Sequence, residues 1–259
     1  MFRSGIEALK RRARKVPLLV ALRAATRPAP IPLPSGPEVI AAYVQALPPG
    51  GELKVVFGGH WSDHPGWLLL NEQQQDVTKR LAFADNSIDV VFAEHVIEHL
   101  PFTGAVGFLQ ESYRTLKPGG VCRILCPMLD RMMTADFSDA NGRENVRNSL
   151  LPYFAGEHAM LSGTLKLDGL NADPVAFLFN GTYMGHGHRF IWTTGLMIKV
   201  MTAIGFRSAR SYGPGEGSRP ADCIERRQRG LYMGWDWRED RAAGTEPHDI
   251  ESLAVEAIK

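Results

Sequence analysis

Apolar residues fall into short continuous runs, separated by longer segments in which they recur at helical spacing. The runs at 53–57 ("LKVVF"), 67–70, 88–93 ("IDVVFA") and 121–126 ("VCRILC") predict buried strands. Between the last two runs, the apolar stripe at 105–116 predicts a helix that "KPGG" ends. Such alternation is typical of a parallel sheet covered on both faces. A sheet of this kind binds ligands beyond the carboxyl ends of its strands.

The folded domain is predicted to begin near Ser35. Ser35 and Glu38 have the spacing of a capping box and predict the start of a helix. The proline-rich segment "RPAPIPLPSGP" before this helix predicts an extended linker. The chain therefore divides into an arm with its linker (1–34) and a domain (35–259).

The arm is strongly basic, because residues 1–27 hold eight Lys and Arg against one Glu. Its apolar residues recur at helical spacing, which suits a helix lying on an anionic membrane surface. The alternative is a solvated arm without a partner. Nucleic acid is not an expected partner, because no platform of aromatic and basic residues accompanies the arm.

Composition and cysteine usage indicate an ordinary globular protein. The chain has 259 residues and a formal net charge of +1. Its three cysteines are an odd number without metal-ligand spacing, so we expect reduced thiols in a cytoplasmic protein. The apolar run "VPLLVAL" near the N-terminus is much shorter than the roughly 20 residues that span a bilayer.

The segment "EHVIEHL", here called the histidine motif (94–100), contains the pattern H-x-x-E-H of inverted zinc peptidases. A zinc site would need His95 and His99 on one helical face. The motif directly follows a predicted strand, so His95 falls at the strand end and only His99 lies in a helix. No metal ligand set is therefore predicted here.

A second pair of histidines occurs in "GHGHRF". His186 and His188 could bind a metal, but the favoured interpretation is a loop packed over the site, in contact with substrate. Arg189 is then available to an anionic substrate.

The segments "LAFADNSIDVVFAEHVIEHLP" and "ESYRTLKPGGVCRILCP" resemble the core of class I S-adenosylmethionine-dependent methyltransferases. The branch that they resemble is associated with bacterial surface polysaccharide genes. "GHRFIWTTGLMIKVMTAIGF" and "ESLAVEAIK" are similar to the later helix and the closing strand of that branch, so the resemblance covers about 53–259. It implies a Rossmann-like α/β fold. The sheet would be mostly parallel, with seven strands, helices on both faces and a reversed last strand, and a cap inserted at 131–185 would hold the acceptor.

The resemblance implies S-adenosylmethionine as the cofactor. Gly58 and Gly59, after the first strand, would let the main chain approach it. Asn71 stands at the end of the second strand, where the family usually has an acid for the ribose hydroxyls. Asp76 is a candidate for the adenine amine, or else a turn residue facing solvent.

Methyl transfer to a hydroxyl needs a base as well as alignment. His95 is the leading candidate base and, with Glu94, a candidate to line the cofactor pocket. Asp130, after a later strand, is the second candidate base. Glu98 and His99 are expected to stabilise the start of the next helix.

Three functions are compatible with these features. The first is methyl transfer to a hydroxyl of a carbohydrate or glycolipid precursor. The second is a catalytically silent relative that binds a nucleotide or a partner protein, which the short glycine motif and Asn71 favour. The third is a zinc hydrolase acting through His95 and His99.

Overall fold

A computed structural model describes residues 35–58, 65–134, 179–180, 182–183, 187–213, 215–224 and 252–259. The basic arm, Gly59, His186 and most of the predicted cap (131–185) lie outside the described residues. The elements of the described residues are, in chain order, α1 (Gly36–Ala46), β1 (Lys54–Phe57), β2 (Leu68–Leu70), β3 (Ile88–Glu94), a 3₁₀ turn (Ile97–His99), α2 (Phe102–Thr115), β4 (Leu116–Pro127), α3 (Leu129–Met133), α4 (Thr194–Ile204), β5 (Arg207–Tyr212), a second 3₁₀ turn (Pro220–Asp222) and β6 (Ser252–Ile258).

One sheet contains all the described strands, in the order β2–β1–β3–β4–β6–β5. β2, β1, β3 and β4 run parallel to one another. β6 is antiparallel to both β4 and β5, so the last strand is reversed as predicted. The mostly parallel α/β fold is thus confirmed. The described residues form six strands, one fewer than the seven predicted.

The central strands are buried because both faces of the sheet are covered. Val55, Val56 and Phe57 of β1 are each at most 1% exposed, as are the apolar residues of β3. Phe57 packs edge to face on Phe108 of α2, with ring centroids 5.4 Å apart. A strand with no solvent-facing side needs no polar alternation, which explains its continuous apolar run.

Side-chain hydrogen bonds cap the starts of two helices, and the capping box at the first of them was predicted from the sequence. The Glu38 carboxylate accepts hydrogen bonds from the backbone N–H and the hydroxyl of Ser35, both at 2.8 Å. At α4, the Thr193 hydroxyl accepts from the Leu196 N–H at 3.2 Å. These bonds satisfy donors that would otherwise remain unpaired in the first helical turn.

β4 begins earlier than predicted, at Leu116 instead of residue 121. "KPGG" ends α2 but does not become a loop, because the chain end pairs with it. The Gly119 N–H donates to the Lys259 carbonyl at 2.9 Å, and the Lys259 N–H donates to the Gly120 carbonyl at 3.0 Å. This pairing is a contact between distant parts of the sequence, which local patterns do not encode.

Arg114 of α2 fastens the segment that enters β3. Its guanidinium donates to the carbonyls of Leu81 and Phe83 at 3.0 and 2.9 Å, and to Glu111 at 2.6 Å. Glu111 in turn accepts from the Leu81 N–H at 2.9 Å. Hydrogen bonding to Arg114 lowers the pKa of Glu111 below its ordinary value.

All three cysteines are buried thiols that form no disulfide. Burial raises the pKa of Cys122 to about 12 and that of Cys126 well above its ordinary value. Separately, none of the helices in the described part of the chain has the length and apolarity needed to cross a membrane.

Candidate active site at the strand ends

The carboxyl ends of β1, β2 and β3 meet at one edge of the sheet. Phe57 is in register with Leu70 on one side and with Ala93 on the other. The residues that follow these three, namely Gly58, Asn71 and Glu94, therefore lie beside one another at this edge. The sheet topology brings these three sequence-predicted residues together.

Gly58 makes the tight turn at the end of β1. Its φ is 78°, in the left-handed region, and its N–H donates to the Leu70 carbonyl at 3.0 Å. A Cβ at this position would lie 2.4 Å from Cγ2 of Val96. Position 58 therefore requires glycine both for its conformation and for its close approach to the segment after β3.

The Asn71 side chain is hydrogen-bonded within the turn that follows β2. Its side-chain oxygen accepts from the backbone N–H groups of Gln73 and Gln74, both at 3.0 Å. Its backbone N–H donates to the side chain of Gln74 at 3.1 Å. The amide oxygen thus serves the turn after β2, and the arrangement does not fit an oxygen held ready for ribose hydroxyls.

Asp76 also serves a turn. It is exposed, and its Oδ1 accepts from the backbone N–H and the hydroxyl of Thr78 at 2.9 and 2.7 Å. These hydrogen bonds lower the pKa of the Asp76 carboxyl. Of the two interpretations of Asp76, the solvent-facing turn residue agrees with this geometry.

His95 lies where β3 leaves the sheet, with φ at 53°. Its backbone N–H donates to the Leu125 carbonyl at 2.9 Å, which ties the turn to the end of β4. A left-handed conformation is uncommon for a residue with a side chain and is found at functional sites more often than elsewhere. Nδ1 of His95 lies 2.9 Å from Oε1 of Glu98.

Glu98 is fully buried, within the 3₁₀ turn that begins at Ile97. Burial acts to raise the pKa of Glu98, but the hydrogen bond from His95 and the charges of His95 and His188 outweigh it and lower the pKa. The Glu98 side chain therefore pairs with His95, a contact that was not predicted from the sequence; its role at the start of the next helix stays a prediction. The spacing of three between His95 and Glu98 is the sequence signal for this pair.

The segment after residue 187 packs against the histidine motif. The backbone N–H groups of Arg189 and Phe190 donate to the Glu98 carbonyl at 2.7 and 3.2 Å. The rings of His99 and His188 meet edge to face, with centroids 4.6 Å apart. His188 is buried, whereas Arg189 is exposed at the surface. The contact of this segment with the motif agrees with the predicted loop; its role toward a substrate stays a prediction.

Asp130 stands at the start of α3, half-buried. Its Oδ1 accepts from the Thr194 N–H at 2.9 Å, at the first turn of α4. The carboxylate therefore has a structural role at the helix start. His95 rather than Asp130 carries the stronger geometric case for a base, since it alone has an orienting carboxylate.

The residues at the strand ends fit a nucleotide-like cofactor in part. The turn at Gly58 and the polar residues Glu94 and His95 lie together at the strand ends, as a nucleotide-like ligand requires. The oxygens of Asn71 and Asp76 are committed to turns. The fit is thus good at the ends of β1 and β3 and weak after β2.

Residues 61–124 match the family described as Methyltransferase domain. The matched range includes β3 and the histidine motif. It supports a methyltransferase domain with S-adenosylmethionine as its cofactor, and it leaves the acceptor open. A comparison with curated proteins found no match.

Several solved structures are similar to the chain. A SAM-dependent methyltransferase from Archaeoglobus fulgidus is 12% identical, with 86% of this chain and 92% of that chain covered and a TM-score of 0.42. One from Thermotoga maritima is 16% identical, with coverage of 87% and 89% and a TM-score of 0.36. Human N-acetylserotonin methyltransferase in complex with SAM is 14% identical, with coverage of 86% and 45% and a TM-score of 0.38.

Proposed function

We propose that the protein transfers a methyl group from S-adenosylmethionine to a hydroxyl of a carbohydrate or glycolipid precursor. The observation that carries this proposal is the His95–Glu98 pair, placed at the end of β3 beside the turn at Gly58. The family match over residues 61–124, which spans this pair, supports the methyl-transfer part of this proposal.

The cofactor would lie at the ends of β1 and β3. The backbone around Gly58 and the side chain of Glu94 are the groups that would hold it. When bound, S-adenosylmethionine supplies a methyl group on a positively charged sulfur, which makes the carbon electrophilic. The half-buried carboxylate of Glu94 would favour this positive charge.

His95 would accept the proton of the acceptor hydroxyl. Its Nδ1 faces Glu98 Oε1 at 2.9 Å, so Nδ1 carries a hydrogen and Nε2 is the basic nitrogen. A fixed carboxylate orients the ring and stabilises its protonated form, the arrangement that activates histidine bases in other enzymes. Loss of that proton would make the acceptor oxygen a stronger nucleophile toward the methyl group, provided that the oxygen is held in line with the C–S bond of the cofactor.

The choice of a carbohydrate as acceptor has separate grounds. It rests on the resemblance to the polysaccharide-associated branch and on the exposed Arg189 beside the motif, which suits a phosphorylated or otherwise anionic sugar. His186 and His188 belong to the same loop in this proposal. Peripheral membrane contact through residues 1–27 would bring the enzyme to a glycolipid. Sedimentation with anionic vesicles, with and without that arm, tests this contact.

A catalytically silent relative that binds a nucleotide or a partner protein is the second candidate. Asn71 favours it, because the Asn71 oxygen is already bound within its own turn and does not fit a role toward the ribose of S-adenosylmethionine. Calorimetry with S-adenosylmethionine and S-adenosylhomocysteine is the first test. Saturable 1:1 binding is expected, and no binding would reject the methyltransferase proposal. Binding followed by formation of S-adenosylhomocysteine with a sugar-acceptor panel separates the enzyme from the silent relative.

A further inference from the structure

Three metal-ligating side chains come together beside the proposed base. Ligand atoms of Glu98, His99 and His188 all lie within 4.8 Å of one another. Nε2 of His188 is 3.9 Å from Oε1 of Glu98. Glu98 and His188 are buried and His99 is partly buried, so little solvent competes for these atoms.

The two oxygens of Glu98 have different surroundings. Oε1 faces His95 Nδ1 at 2.9 Å. Oε2 is also buried, and it has no hydrogen-bond partner among the described residues. Burying a carboxylate oxygen that makes no hydrogen bond destabilises the folded state, because the oxygen gives up its hydration without a replacing interaction. A bound cation would supply the missing interaction.

We propose that Glu98, His99 and His188 bind a zinc ion at the junction between the histidine motif and the segment after residue 187. Two imidazoles and one carboxylate form a ligand set that suits zinc and leaves one position for solvent. Zinc bonds of about 2.0–2.2 Å hold tetrahedral ligand atoms roughly 3.3 Å apart. The side chains therefore need to close on the ion by about an ångström, on the scale of small torsional changes.

The backbone already holds the ligands in place. The carbonyl of Glu98 accepts from the N–H groups of Arg189 and Phe190, one and two residues after His188. The hydrogen bond from His95 to Glu98 Oε1 would orient the ligating carboxylate as a supporting outer group. His95 is not itself a ligand, so this site differs from the His95–His99 pair suggested by the H-x-x-E-H pattern. It also differs from the expectation that no metal is bound.

The test uses the full-length protein, freed of metal with a chelator and then titrated with Zn²⁺ or Co²⁺. We expect one equivalent to bind, with a visible cobalt absorption typical of low coordination number and a rise in Tm on adding zinc. His99→Ala and His188→Ala should each weaken zinc binding by roughly 100-fold and abolish the Tm shift. A loss of this size equals or exceeds the largest loss of metal affinity seen when a group outside the ligand set is removed. His248→Ala is the matched control, because it removes another of the eight histidines and should leave binding unchanged.

The milder variants His99→Gln and His188→Asn keep the proposal testable if the alanine variants do not fold, as judged by circular dichroism. Wild-type affinity in both histidine variants would overturn the proposal, as would the absence of stoichiometric binding to the wild type. The site does not depend on the proposed function. If the wild type binds S-adenosylmethionine but not zinc, only the metal site is rejected. If the wild type binds zinc but not S-adenosylmethionine, only the methyltransferase proposal is rejected.

Discussion

Nδ1 of His95 lies 2.9 Å from Oε1 of Glu98, and the side chain of Glu98 is completely buried while that of His95 is 22% exposed. The pair thus combines a carboxylate that has no contact with solvent and an imidazole that is partly exposed to solvent. The buried acceptor fixes one ring nitrogen and thereby selects the role of the other. This asymmetry gives the strand end its proposed chemistry.

His95→Ala should abolish methyl transfer, by at least about 100-fold, because it removes the base. Glu98→Gln should reduce the rate less, since the ring remains but its orientation and its protonated form lose support. Production of S-adenosylhomocysteine measures both rates, and calorimetry should show cofactor affinity largely unchanged in His95→Ala. His248→Ala should keep the full rate. An undiminished rate in His95→Ala would exclude His95 as the base.

Gly58→Ala should destabilise the protein more than Gly66→Ala does. Both glycines have positive φ, 78° and 83°, so both substitutions introduce the same backbone strain, roughly 1 kcal/mol. Only position 58 adds a clash, with Val96 Cγ2 at 2.4 Å, and nothing lies within 4 Å of a Cβ at position 66. We expect about 1–3 kcal/mol of additional loss at position 58, measured by urea unfolding.

The double variant Gly58→Ala with Val96→Ala should recover part of that additional loss, because it removes the atom that clashes. The comparison is made with Val96→Ala alone as reference. Equal destabilisation by Gly58→Ala and Gly66→Ala would show that the end of β1 does not lie as close to Val96 as described.

Arg114→Ala should lower the free energy of unfolding by about 2–3 kcal/mol, because Glu111 and the carbonyls of Leu81 and Phe83 lose a charged donor. Arg80→Ala is the matched control. Arg80 is 72% exposed and approaches Asp85 only at 3.9 Å, so its loss should change stability by less than about 0.5 kcal/mol. Similar losses in the two variants would contradict the role given to Arg114.

The Arg114–Glu111 pair should also contribute to the decrease in the free energy of unfolding at acidic pH. The pKa of Glu111 is lowered in the folded protein from its ordinary 4.5. Its contribution is therefore present above about pH 4.5 and is lost as the pH falls through the folded pKa. Glu111→Gln should lose stability at pH 7 and show a shallower decline below pH 4.5. A variant with an unchanged acid profile would contradict this linkage.

Native protein should react slowly with a thiol reagent, because the thiolate is the reactive form and burial raises the pKa of Cys122 to about 12. All three cysteine thiols should react once the chain is unfolded in urea. Rapid labelling of the native protein would show that β4, which carries Cys122 and Cys126, is less buried than described.

Strands and helices with strong local patterns were predictable from the sequence. The run at 88–93 corresponds to β3, and the capping box at Ser35 marks the start of α1, because burial on both faces and helix capping leave local signatures. The early start of β4 at Leu116 was not predictable. It depends on pairing with Lys259, at the opposite end of the sequence, and no local pattern reports such a contact.

The location of the site was predictable from the sequence, but most of the side-chain contacts within it were not. The placement of Gly58 and His95 at one sheet edge follows from parallel topology. The commitment of Asn71 to its own turn and the depth of Glu98 depend on side-chain positions that spacing alone does not fix. The spacing of His95 and Glu98 gave a hint of their contact, whereas the approach of His188 to Glu98 joins segments about ninety residues apart.

Hydrogen exchange, measured with and without S-adenosylmethionine, tests the central claim most directly, because it reports both binding and its position. We expect slower exchange on binding at residues 57–60, from the end of β1 onward, and at residues 94–99, from the end of β3 onward. An unchanged exchange pattern at saturating cofactor, or protection confined to segments away from these strand ends, would contradict it.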